Sequence, residues 1–229
     1  MNAPAIWNSD HLAEAAAALR AGHVIAVPTP RWYMLCAAAD NPAACRAIFT
    51  AKRRPAEKPL LLVLGRPGDT ERLCQANAEA RALIDGLWPG ELALRLPWRD
   101  MRTRAAYPAI GDPALVQCAG GVLGRLARRA GPIAAASLSI STPSAADDDR
   151  PALTLDEAGA FITATGAPVV GIIDGGICPH ARHLTIVDCL TARDAGPGAH
   201  IIREGTVHPR AITAALTTCL PDGDDHHVG

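Results

Sequence analysis

Aromatic side chains are scarce: Phe, Trp and Tyr together make up 3% of the 229 residues. A core cannot be built on large rings here and must come from small aliphatics, Ala foremost. Neither sign of charge dominates, since 22 Lys and Arg against 23 Asp and Glu leave a net charge of −1. That excludes a chain that is basic throughout and wraps nucleic acid, and it excludes an acidic tail protein. A local basic patch is still allowed. There is no unbroken apolar run of the ~18 residues that read as a membrane span, so no membrane partner is expected. Met1 to Asp10 has no basic segment leading into a continuous apolar one, so no signal peptide is expected and the location is read as cytoplasmic. No Cys-x-x-Cys occurs, and the seven cysteines (Cys36, Cys45, Cys74, Cys118, Cys178, Cys189 and Cys219) are odd in number and scattered. This argues against a disulfide framework and a zinc ribbon. It predicts buried thiols acting as small hydrophobes in a reducing compartment.

What is present is a globular composition. Apolar residues make up 49%, which excludes disorder, and 20 Gly with 19 Pro predict many turns. The length suits one domain with its own core. Helix and strand signals alternate along the chain, which predicts an α/β fold. Helices are expected over His11–Ala21, with Gly22 as the stop, and from Asn41-Pro42 to Lys52. Others are expected over Asn77–Asp85, closed by Gly86, and over Gly120–Arg129, with Arg125, Arg128 and Arg129 on the wet face. A capping box at Thr154 and Glu157 opens a helix to about Thr165, and Pro209 opens the last one. Strands are expected at 24–27, 59–64, 92–96, 132–137, 168–173, 184–189 and 200–203. The expected layout is a domain over 10–208, a C-terminal helix over 209–220 and a tail over 221–229.

In open α/β sheets, ligands sit beyond strand ends, where loops and helix N-termini present free N–H groups. Five such junctions carry polar or basic residues. They are Thr29-Pro30-Arg31-Trp32-Tyr33; Lys52-Arg53-Arg54 with Lys58; Ser137-Leu138-Ser139; Asp174-Gly175-Gly176 leading to Thr185; and Arg203-Glu204-Gly205. The second cluster runs straight into the apolar Pro59–Val63, so its cations are held near a sheet. Contacts from Lys or Arg to phosphate are worth about 1.5–3 kcal/mol each, so several converging cations make an anion site. Trp32 and Tyr33 are the nearest rings for stacking.

Other constellations are weaker. Cys178, His180 and His183 have loose metal-ligand spacing but no distant fourth ligand, and read better as a loop rimming a cavity; no metal site is assigned. Asp147-Asp148-Asp149 reads as a solvated loop. Ser137 has no nucleophile-elbow context, which disfavours a hydrolase. Arg99, Arg102 and Arg104, with the arginines of 125–129, could face RNA, or simply water.

The ordered motifs Gly22–Thr29, Tyr33, Lys52-x-Arg54-Pro55-x-x-Lys58-Pro59-Leu60, Leu87–Leu94, Gly131–Ser139, Asp174-Gly175-Gly176 with Leu184–Asp188, and Ile202–Gly205 resemble those of the YrdC-like threonylcarbamoyl-adenylate synthase family. The resemblance spans about residues 10–208. It implies an open, twisted, mixed sheet with flanking helices around a concave ligand cavity. It also implies that ATP, bicarbonate and an amino acid give an acyl-adenylate and pyrophosphate, with Mg2+ as cofactor. A downstream acyltransferase and tRNA are the implied partners. By resemblance, Lys52 and Arg54 stand where charge develops on the phosphates, while Lys58, Ser137, Ser139, Thr185 and Arg203 hold the nucleotide. Thr29, Arg31 and Tyr33 lie at the substrate end.

The chain also departs from the family pattern. Pro30 and Arg31 replace Asp-Thr, and Met34 replaces Gly. Ser139 stands for an asparagine, Leu184 for a serine, and Gln117 for an arginine. The main expectation is therefore a carbamoyl- or threonylcarbamoyl-type adenylate synthase with an altered substrate, Arg31 pairing with a substrate carboxylate. The alternatives are a standard L-threonine enzyme serving tRNA modification and a non-catalytic nucleotide- or RNA-binding module.

Overall fold

The computed structural model describes residues 3–141, 150–190 and 199–219. In chain order the elements are β1 (Ala5–Trp7), α1 (Leu12–Arg20), β2 (Val24–Pro28), β3 (Tyr33–Ala38), α2 (Pro42–Lys52), β4 (Leu61–Leu64), α3 (Thr70–Leu73), α4 (Ala78–Leu87), β5 (Leu92–Leu96), α5 (Met101–Ala106), β6 (Ala114–Cys118), α6 (Gly121–Ala130), β7 (Ile133–Ser137), α7 (Leu155–Thr165), β8 (Val169–Ile173), β9 (Thr185–Asp188), β10 (His200–Arg203) and α8 (Pro209–Cys219). Among the described residues ten strands form one sheet in the order β1-β8-β2-β3-β7-β4-β6-β5-β9-β10. Pairing is mixed: β2–β3, β3–β7 and β4–β7 are antiparallel, while β4–β6 and β5–β9 are parallel. This is the α/β architecture the sequence predicts.

The period-2 geometry of strands divides the core in two. Val24 and Ala26, Leu35 and Ala37, Leu62 and Leu64, and Ala134 and Ala136 enter one apolar cluster. Their neighbours Ile25, Val27, Cys36, Leu61, Val63, Ile133 and Ala135 enter the other. With both faces buried, a central strand shows no polar alternation. For that reason Tyr33–Ala38 and Ala114–Cys118, interior strands of the sheet, are not read as strands from the sequence. The edge strand Ala5–Trp7 is also missed, and it starts the sheet before residue 10.

Two local expectations are corrected. Gly86 does not stop α4, which runs to Leu87. A Cβ on Gly86 would lie 3.1 Å from Ala215 Cβ, so the residue lets α4 and α8 approach. Arg125 does not lie on the wet face with Arg128 and Arg129: it is half-buried, and its Nε is shielded from water. Six cysteines (Cys36, Cys45, Cys74, Cys118, Cys178 and Cys189) are free and buried, as expected. Asp147–Asp149 and the 221–229 tail lie outside the described residues.

Candidate active site

Helix α2 starts on a firm cap: Asn41 Oδ1 accepts from Ala43 N and Ala44 N, with Pro42 in the first turn. It ends at Arg53, which takes a left-handed conformation (φ 49°). This geometry delivers Lys52 inward. Lys52 is 1% exposed, and its Nζ donates to Ser137 O and Ser139 O, both at 2.5 Å. Ser137 Oγ at 3.3 Å and Ser139 Oγ at 3.5 Å complete an oxygen shell around the ammonium. A buried ammonium needs such partners to offset lost hydration. Ser141 N donates to Lys52 O at 2.8 Å, tying the segment beyond β7 to the helix end.

Arg54 turns its fork onto the backbone four and five residues ahead, donating from Nε to Lys58 O at 2.7 Å and from Nη2 to Pro59 O at 2.9 Å. Burial holds its guanidinium pKa below the usual arginine range. Lys52, Arg54, Lys58, Ser137 and Ser139 line one chamber of about 490 Å³ with Trp32, Arg150 and His183. The Trp32 and His183 rings meet edge to face at 5.0 Å. A larger chamber of about 890 Å³ shares the Arg54 wall. Phe49, Ile110, Leu115, Ile186 and Ile202 make it largely apolar, with Arg95 at its wall bonded to Asp188 at 2.7 Å.

The other five predicted residues line neither chamber. Thr29 Oγ1 donates to Trp32 O and accepts from Arg31 N and Trp32 N, so it builds the turn that presents Trp32. Arg31 is 2% exposed and pairs through Nε with Glu91, not with the chamber. Tyr33 is fully buried; its hydroxyl donates to Gly176 O and accepts from Gly175 N, both at 3.2 Å, and burial pushes its pKa up. Thr185 Oγ1 donates to Val207 O at 2.7 Å and accepts from Val207 N at 3.0 Å. Arg203 Nε donates to Leu184 O at 3.1 Å. These groups organise the strand ends around the chambers. The loop of Cys178, His180 and His183 does rim the smaller chamber, through Ala181 and His183. No local sequence pattern marks Arg150, Arg95 or the 108–113 loop; they reach the chamber walls only through the sheet order.

A lysine clamped on two serine turns at a strand end, inside a mixed ten-stranded sheet, can be matched to known proteins. The family model described as telomere recombination, covering Sua5, YciO and YrdC proteins, matches residues 17–205. The chain belongs to that family. Compared with other Sua5/YciO/YrdC proteins, it is 32% identical over 186 residues to a threonylcarbamoyl-AMP synthase of Bacillus subtilis (strain 168), covering 80% of this chain and 51% of that protein. It thus spans about half the length of that relative. It is 29% identical over 208 residues to a putative threonylcarbamoyl-AMP synthase of Mycobacterium leprae (strain TN), covering 90% and 87% of the two chains. The structure superposes on P. abyssi Sua5 complexed with L-threonine with a TM-score of 0.76 at 26% identity, covering 93% of this chain and 61% of that one. E. coli YciO shares the fold, with a TM-score of 0.69 at 15% identity over 93% of this chain and 100% of that one.

Among the described residues no group of three or more His, Cys, Asp or Glu is placed to hold a metal ion. The Lys52 chamber offers cations and hydroxyls, a donor set that suits phosphate rather than a resident metal. No helix among the described residues is long and apolar enough to cross a membrane.

Proposed function

We propose that this chain makes a carbamoyl-type adenylate from ATP, bicarbonate and an amino acid. The amine of the amino acid takes up the carbon of bicarbonate with loss of water, giving a carbamate. A carbamate oxygen then attacks the α-phosphorus, the bond to the bridging oxygen breaks, and pyrophosphate leaves. The observation that carries this reading is the gathering of Lys52, Arg54 and Lys58 with two serines on one chamber wall. Cations fixed before the reaction stabilise charge as it develops on the phosphates, without reorganising at that moment. Mg2+ would arrive with ATP as part of the substrate, bound mainly by phosphates and water.

L-Threonine is the first amino acid to test, on the strength of the relatives' names and of the L-threonine complex of P. abyssi Sua5. Arg31 Nε is taken by Glu91, which weakens the reading of Arg31 as the partner of a substrate carboxylate. One observation still motivates testing a different amine or acid: the Trp32 and His183 rings line the same chamber as Lys52 and would touch whatever is bound there. The product is a mixed anhydride, so an acyltransferase must consume it; an adenosine of tRNA is the acceptor we propose.

Incubation with ATP, Mg2+, bicarbonate and a panel of amino acids tests this, read by pyrophosphate release and adenylate mass. Release with L-threonine supports the standard substrate, and release with another member alone supports the altered one. No release across the panel, with ATP still bound, overturns catalysis and leaves a nucleotide-binding module.

A further inference from the structure

A small space of about 20 Å³ is bounded by the 28–31 turn, Glu91, Gln117 and the start of α6. Arg31 spends Nε on Glu91, but its Nη2 is buried with no hydrogen-bond partner among the described residues. Gln117 is fully buried; its Nε2 donates to Gly90 O at 2.8 Å, while its Oε1 is likewise buried and has no partner among the described residues. That bond fixes the amide, because turning it over would set Oε1 against the Gly90 carbonyl oxygen. Each such orphan costs about 1–3 kcal/mol if nothing satisfies it.

The chemistry of the walls selects the occupant. An anion would meet Gln117 Oε1 and the Glu91 carboxylate, and a cation would meet the Arg31 guanidinium. An apolar occupant would leave both orphans unsatisfied. Water both accepts and donates, and a space of this size holds one molecule.

We propose that this space holds one structural water, accepting from Arg31 Nη2 and donating to Gln117 Oε1, and that the link makes Arg31 and Gln117 positioning residues for Trp32. The Arg31 guanidinium carbon lies 5.2 Å from the Trp32 ring centroid, and the same ring meets His183 at 5.0 Å. Contacts therefore run from Gln117 on β6 through water, Arg31 and Trp32 to the wall of the Lys52 chamber. Only the functional half of this inference rests on reading that chamber as the substrate site.

A crystal structure of the unliganded protein at about 1.5 Å tests the water, with hydrogen-bond distances of ~2.7–3.2 Å to both atoms expected. A single peak there supports it. An empty space, or Arg31 turned into the Lys52 chamber, overturns it. The positioning half is tested with Gln117→Met, Arg31→Met and the double variant, all checked for wild-type circular dichroism. Each single change should raise the amino-acid KM about threefold or more with kcat little altered, and the double should do no worse than the larger single. Multiplying KM effects, or a loss confined to kcat, overturns positioning. If no amino acid supports pyrophosphate release, the proposed function fails while the crystallographic peak still decides the water.

Discussion

Lys52 is an ammonium withdrawn from water and surrounded by the carbonyl and hydroxyl oxygens of Ser137 and Ser139. Its removal should act twice. On the proposed function, Lys52→Ala is expected to cut pyrophosphate release by about 100-fold or more, since it deletes a fixed charge from the wall of the proposed phosphate chamber. It should also lower stability by about 1–3 kcal/mol, because two acceptors lose their donor; unchanged turnover would place the chemistry elsewhere. Glu91 serves Arg31 in a different way. The pair is nearly dry, with side chains 3% and 16% exposed. Glu91→Leu leaves a buried guanidinium uncompensated and should cost about 3–5 kcal/mol in urea unfolding, while Arg31→Met with Glu91→Leu together should cost less than Glu91→Leu alone. A double variant as unstable as that single one would deny the pairing. Arg31 also marks the limit of reading by residue type: a guanidinium at a strand-end turn looks like a substrate contact until its partner, sixty positions away, is known.

Elements are held by caps and by close backbone approaches. Thr154 Oγ1 accepts from Glu157 N at 3.2 Å, and Glu157 Oε2 accepts from Leu153 N at 2.6 Å. The capping box predicted from the sequence is thus present in altered form, closing on the residue before the cap. Thr154→Ala should cost about 1 kcal/mol, read from the shift in urea midpoint. Gly65 lies under α6, where a Cβ would come within 2.5 Å of Arg128 N. Gly65→Ala should therefore cost about 1–3 kcal/mol by overpacking α6 against β4. Gly68, with nothing within 4 Å of a Cβ, supplies the control: Gly68→Ala should be close to neutral. Equal effects at the two glycines would rule out the packing argument. The element ends tell the same story about legibility. Pro42 and Lys52 bound α2 as read, because caps and prolines act locally. Gly86 misleads because its reason is α8, far along the chain.

For the whole molecule, the buried thiols set an alkaline limit. Burial pushes Cys45 and Cys118 up to about 11 and Cys74 and Cys189 up to about 12. The folded state holds these protons more tightly than the unfolded chain does. Their stabilising contribution is complete below the ordinary thiol value of 9.0 and is lost as pH rises towards 11 to 12. Thermal melts should show Tm falling above about pH 9, with a shallower fall in Cys189→Ala. A flat profile to pH 11 would contradict the burial. The class of fold, most helix bounds, the buried cysteines and the cation cluster at 52–58 are legible in the sequence, since each rests on local propensity or on charges adjacent in the chain. Which of those groups face a chamber depends on how the strands are ordered in the folded sheet. Lys52, Arg54, Lys58, Ser137 and Ser139 converge on one chamber because β7 lies beside β4, while Thr29, Tyr33, Thr185 and Arg203 line neither chamber and hold backbone groups of the strand ends. A hydroxyl or guanidinium takes the best partner within about 3 Å, and which partner that is depends on strand order and register rather than on spacing in the chain.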